Sequence, residues 1–399
     1  MTSYTSNRAM CSIPYASHPS EHTPFFLPPS FHEEQPNPFA QLKRISCDSK
    51  LNLLLVFFPF GVWAWLAGWN DVLVFLLNFF AIMPLSKLLC FSTEEVALRL
   101  GSTVGSLMNA TFGNATELIL AIVALRKGHF YVAQASLLGS ILSNLLLVLG
   151  SSFLLGGLAY PEQSFSSTLT NTTNGMLLLF SLALILPSVI HSTVTDEIVR
   201  DVLMLKLSRG MAVVLLILYV VYLIFQLRTH SHLFEDEASV EETPELSLPV
   251  SIVLLVVTTL LISLSAEFLV DSLDGMISTS GLTESFISII LLPVISNAVE
   301  HVSSLRFAVK NKMNLCIGIT LGSANQISLF VIPLLVLMGW ILNQPVTFFF
   351  GYLETAILLI SVMTVYCITS GGKCHWLEGY ICLAAYALTA ICFGVVPKI

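Results

Sequence analysis

The chain has 399 residues, of which 55% are hydrophobic and only 11% charged, with a mean hydropathy of +0.84. Soluble domains carry about 25% charged residues, so this balance excludes an ordinary soluble enzyme or binding module and implies an all-α polytopic membrane protein. Much of the acid behind the net charge of −8 lies in one short stretch, and no basic face offers a footprint for nucleic acid.

Residues 1–49 are polar and rich in Pro and Ser, without an apolar core followed by a cleavage site. They are expected to form a disordered tail from which no leader is removed. Apolar runs long enough to cross a ~30 Å hydrocarbon core then fall at 51–68, 72–91, 95–126, 130–157, 174–191, 208–227, 247–270, 282–309, 314–340, 346–368 and 375–394. That predicts eleven spans, all helical, because in lipid each segment satisfies its own backbone polar groups. The polar insertion RTHSHLFEDEASVEETPEL, 228–246, parts six spans from five. The units are thus a tail over 1–49, a first span and approach over 50–92, a first half over 93–227, the linker 228–246 and a second half over 247–399.

With an odd span count, the face bearing the N-terminus also bears Lys43, Arg44, Lys50, Arg228, Arg306, Lys310, Lys312 and Lys373. This bias puts the N-terminus and the linker in the cytosol. The sequon Asn171-Thr172-Thr173 then faces the cytosol and is read as unglycosylated. Eight cysteines, mostly in apolar stretches without CxxC or zinc spacing, predict packing residues rather than a disulfide framework.

Internal repetition carries the functional reading. The stretch GNATELILAIVALR, 113–126, recurs as SNAVEHVSSLRFAV, 296–309, and LLGSILSN, 137–144, recurs as TLGSANQI, 320–327, in one register without a gap. Asn114 thereby matches Asn297, Glu117 matches Glu300, Ser140 matches Ser323, and Ser143 matches Gln326. Five spans separate the copies, an odd number that inverts the second copy. Gly113, Ser296 and the asparagines suit helices that break and free carbonyls to line a cavity, with Pro293 adding to the second break. Two intramembrane carboxylates are functional by default. With carbonyls and the side chains of Asn114, Asn297, Gln326, Ser140 and Ser323, they supply the six to eight oxygens that calcium takes. Desolvation and mutual repulsion favour a shared proton when no cation is bound, so calcium and protons compete for one site.

These motifs, the acidic segment, and SRGMAVVLLILYVVYLIFQL before it resemble the vacuolar calcium/proton exchangers, the CAX branch of the calcium/cation antiporters. The resemblance spans residues 50–396. It implies one N-terminal span plus two inverted five-helix repeats, and export of cytosolic calcium into an acidic, vacuolar compartment. It carries Glu117 and Glu300 over as the central, metal-binding acids, His301 as the residue after the second acid, and Gln326 as the polar residue of the next helix. Ser296 departs from the usual Gly. Glu94, Glu95 and Glu267, near span ends, are expected in a vestibule or gate. Glu235, Asp236, Glu237, Glu241 and Glu242 are expected to collect calcium or regulate. Manganese or a broader set of divalent cations is the alternative cargo, and a cation channel a weaker reading. The NAVEH motif argues against sodium coupling. Calcium, protons and the bilayer are the expected partners, and a homo-oligomer is compatible with the chain. No nucleotide-binding loop is present, so neither enzymatic chemistry nor a cofactor is expected, and energy comes from a gradient.

Overall fold

The computed structural model describes residues 50–100, 102–231 and 244–396. The N-terminal tail and the acidic residues Glu235, Asp236, Glu237, Glu241 and Glu242 lie outside the described residues. The described chain is helical apart from a two-residue ribbon in which β1 (Gln163–Ser164) pairs antiparallel with β2 (Lys373–Cys374).

Among the described residues, eight helices are long and apolar enough to cross a membrane: α2 (Asp71–Arg99), α5 (Phe130–Ala159), α6 (Ser167–Thr193), α7 (Glu197–Thr229), α8 (Leu248–Asp271), α12 (Met313–Ile341), α13 (Tyr352–Thr369) and α14 (Trp376–Val395). A ninth span forms if α10 (Glu284–Ser296) and α11 (Ala298–Val309), bent by 59° at Asn297, are taken together. The other two expected spans are helical but short. The first is α1 (Leu51–Leu66), and the second is split into α3 (Ser102–Phe112) and α4 (Ala115–Arg126) around Gly113 and Asn114. A further short helix, α9 (Leu273–Ser280), ends at Gly281, whose φ of +71° is the left-handed stop that glycine takes without strain.

One boundary moves. Residues 95–99, expected to open the third span, instead end α2, which runs unbroken to Arg99. Two adjacent acids do not stop this helix because both are buried, at 3% and 0% exposure, and Glu95 receives backbone N–H donors from another segment.

The helix ends repeat as the sequence does. α4 and α11, the starts of α5 and α12, and the left-handed residues Gly128 (φ +85°) and Asn311 (φ +59°) each lie 183 residues apart. Asparagine is among the few non-glycine residues that adopt this conformation readily. Both α5 and α12 widen into a π-helical turn at matched places, Ser143–Val148 and Ile327–Val331. These two helices form the centre, with 72% and 67% of their apolar windows buried, against 28% for α7 and 22% for α8 on the periphery. The centre is also where α5 crosses α10 at Gly139. A Cβ there would run into the Ile289 carbonyl and the Pro293 ring, so the glycine permits the close approach that packs helices in lipid.

Candidate cation site

Glu117 and Glu300 lie in the first turns of α4 and α11, just past the two helix breaks. Each carboxylate therefore sits at the positive end of a half-helix, just after the break that ends α3 or α10. Both acids are buried, 4% and 8% exposed. Ser296 stands beside the Glu117 carboxylate, and Ser323 and Asn144 beside that of Glu300.

A buried polar lattice joins the two copies. Ser323 Oγ donates to Asn114 Oδ1 at 2.9 Å and accepts from Asn144 Nδ2 at 2.9 Å. In the other copy, Asn297 Nδ2 donates to the Ser140 carbonyl at 3.2 Å, and Ser140 Oγ lies 3.4 Å from Ser296 Oγ. Ser323–Asn114 and Ser140–Asn297 are the same pairing with the copies exchanged. Several buried oxygens at the centre are left without a donor: Glu117 Oε2, Glu300 Oε2, Asn297 Oδ1 and Asn144 Oδ1. Unpaired buried acceptors are costly, and a hard cation is the partner that such an oxygen set takes. Among the described residues no group of three or more His, Cys, Asp or Glu gathers to hold a metal; the set is two carboxylates with neutral oxygens.

Access differs on the two sides. A cavity of about 520 Å³ reaches Glu300, lined by Cys90, Thr93 and Glu94 of α2, Asn109, Phe112, Gly113 and Asn114 at the first break, and Gly318, Ile319, Ser323 and Gln326 of α12. Exposure falls along it from 38% at Phe112 to 1% at Asn114. On the other side Glu117 meets a narrower space of about 180 Å³, lined by Leu120, Ser136, Leu137, Ser140, Leu292 and Ser296, all of them buried. Five of that space's seven residues, Glu117, Ser136, Ser140, Leu292 and Ser296, are the 183-residue partners of Glu300, Ile319, Ser323, Asn109 and Gly113 in the wide cavity. One copy's cavity is the collapsed counterpart of the other's.

The structure thus brings together Glu117, Glu300, Asn114, Asn297, Gly113, Ser296, Gln326, Ser140 and Ser323. Other expected residues lie elsewhere. His301, adjacent to Glu300 in sequence, points away to a 2.8 Å hydrogen bond with Ser151 Oγ and lines neither cavity, because consecutive residues of a helix project about 100° apart. Ser143 is buried beside the Tyr386 hydroxyl rather than at the cation site. Glu94 lines the wide cavity. Glu95 does not: its carboxylate accepts the backbone N–H groups of Glu245 (3.1 Å) and Leu246 (2.7 Å), and Arg99 donates to the Leu246 carbonyl. Glu267 is half-exposed and pairs with Lys127 at 3.5 Å, away from both cavities. Cys90 is disulfide-bonded, contrary to the expectation of packing cysteines alone. Asn144 is the site residue that sequence reasoning missed. It lies one helical turn after Ser140, which was the available signal, but its repeat partner is the apolar Ile327.

Residues 70–228 and 250–394 match the family described as sodium/calcium exchanger protein. The chain is 41% identical over 365 residues to a vacuolar calcium ion transporter of Schizosaccharomyces pombe, covering 91% of this chain and 89% of that protein. It is 41% identical over 374 residues to vacuolar cation/proton exchanger 3 of Arabidopsis thaliana, covering 90% and 82%. Its fold is similar to the crystal structure of the selenium-substituted Ca2+/H+ antiporter protein YfkE, with a TM-score of 0.73 at 30% identity over 86% of this chain and 98% of that one.

Proposed function

Because this chain belongs to the sodium/calcium exchanger family, in its vacuolar calcium/proton exchanger branch, we propose that it exchanges cytosolic calcium for lumenal protons across an acidic-organelle membrane. The observation that carries this reading is the pair of buried carboxylates at matched helix breaks, beside donorless oxygens, with a wide cavity at Glu300 and a narrower one at Glu117. Two inverted five-helix repeats, with the first span outside them, account for the matched helix ends, and eleven crossings follow when the short and broken helices are counted. From α2 the wide cavity is lined by Cys90, Thr93 and Glu94, next to the Glu95 that holds the end of the linker, and the linker is at the cytosolic face by the Lys and Arg bias.

In that state calcium enters past Glu94 and displaces protons from Glu117 and Glu300. Collapse of the wide cavity and opening of its counterpart then present the ion to the lumen, where protonation of the same carboxylates releases it. Coupling follows from shared occupancy: the carboxylates hold a cation or protons, not both. The test is calcium uptake into proteoliposomes with an acidic interior. Uptake that needs the pH gradient and stops on adding a protonophore is expected. Uptake insensitive to the protonophore would instead point to a channel. Competition by manganese in the same assay sets the breadth of the cargo.

A further inference from the structure

The membrane-facing surface holds a notch between α6 and α7, away from the cation site. Its walls are Leu179, Leu182 and Leu186 of α6 and Met211 and Val214 of α7, and it is an open groove of about 890 Å³. Its floor is Gly210, where an added Cβ would meet nothing within 4 Å. Lys206 stands one helical turn from Gly210 at the head of this apolar trough. The side chain is exposed and forms no ion pair with any described residue, whereas nearby Arg200 is occupied by Glu197 and Asp201.

Depth locates the lysine. α7 has 33 residues, about 50 Å at 1.5 Å per residue, so it outreaches a ~30 Å hydrocarbon core. Lys206 lies about 13 Å from the start of α7 by the same rise. Arg209, on the next turn, stacks at 4.7 Å on Trp340, and Trp340 is half-exposed. An outward tryptophan marks the headgroup boundary. Lys206 is therefore at headgroup level, with the trough running inward beneath it.

We propose that this notch is a binding site for one anionic phospholipid, with an acyl chain along the trough and the phosphate on Lys206. A zwitterionic phospholipid offers the same phosphate, but its own ammonium group neutralises it, so a headgroup of net negative charge is the better counter-charge for Lys206.

The experiment is native mass spectrometry of the full chain taken from vesicles of phosphatidylcholine with one-fifth phosphatidylglycerol. Wild type is expected to retain one phosphatidylglycerol per protomer. Lys206→Gln should lower its retention about fivefold, the worth of one interfacial cation, while Lys206→Arg keeps it. Gly210→Leu, which fills the trough, should lower it about tenfold, as expected when several buried methylenes are displaced. Calcium exchange in pure phosphatidylcholine vesicles serves as the folding control for each variant. Equal retention of phosphatidylcholine, wild-type retention in Lys206→Gln, or a dimer cross-linked through Leu182→Cys that excludes lipid would each overturn the proposal. If Gly210→Leu does not fold, the Gln and Arg variants decide the matter.

Discussion

At the scale of single residues, the two acids were legible because a repeat marks them twice, and Asn114, Asn297, Ser140 and Ser323 followed from the same register. The register also misled. It paired Ser143 with Gln326, yet Gln326 lines the wide cavity and Ser143 faces Tyr386, since equivalent backbone positions do not impose equivalent side-chain lengths or neighbours. Glu117→Gln and Glu300→Gln each keep the volume but remove a charge and a titratable group. Exchange should fall roughly 100-fold or more in each, with the proteins still folded by thermal melt. Because a bound cation requires ionised carboxylates, calcium affinity of the wild type should weaken as pH falls, and binding should release protons. Calorimetry in buffers of different ionisation enthalpy reads that release; none at all would place proton coupling elsewhere. Asn144→Leu removes the donor to Ser323 and a donorless oxygen beside Glu300. About tenfold weaker calcium binding is the expected result, the usual penalty for losing a group that orients a ligand shell, whereas an unchanged isotherm would make Asn144 only a packing residue.

At the scale of elements, helix breaks could be read from Gly113-Asn114 and Ser296-Asn297, and both are present. The end of α2 was not legible, because the groups that satisfy Glu95 come from residues 245 and 246, about 150 positions later, and nothing local announces them. That contact ties the end of the linker to the helix that carries Glu94 into the wide cavity. Glu95→Ala should free the two amides and speed their hydrogen exchange roughly tenfold, if local opening rather than global unfolding governs them. Mass spectrometry of the peptide spanning them measures it, and protection as strong as in wild type would show that Arg99 alone holds the segment.

At the scale of the whole molecule, composition and run length gave a polytopic helical protein. The number of independent long helices came out lower because hydropathy counts apolar length without seeing where a helix breaks. Alternating access has a direct reading here. Asn109→Cys lines the wide cavity and should react with a membrane-impermeant thiol reagent from the linker side, while its partner Leu292→Cys should react from the opposite side and only under conditions that open the narrow space. These labelling patterns, compared with and without calcium, test the exchange of cavities; Leu292→Cys reacting from the linker side would refute it. The correspondence of the two cavities is also incomplete, since Gly113 stands opposite Ser296 and Gln326 opposite Ser143 in the repeat. Each half-cycle of turnover is therefore governed by its own set of lining residues, drawn from both copies of the sequence. A substitution confined to one lining, at Gln326 of the wide cavity or at Leu120 of the narrow one, is expected to alter the rate of loading or of unloading alone, so the two kinetic steps of a single ion site are separately adjustable.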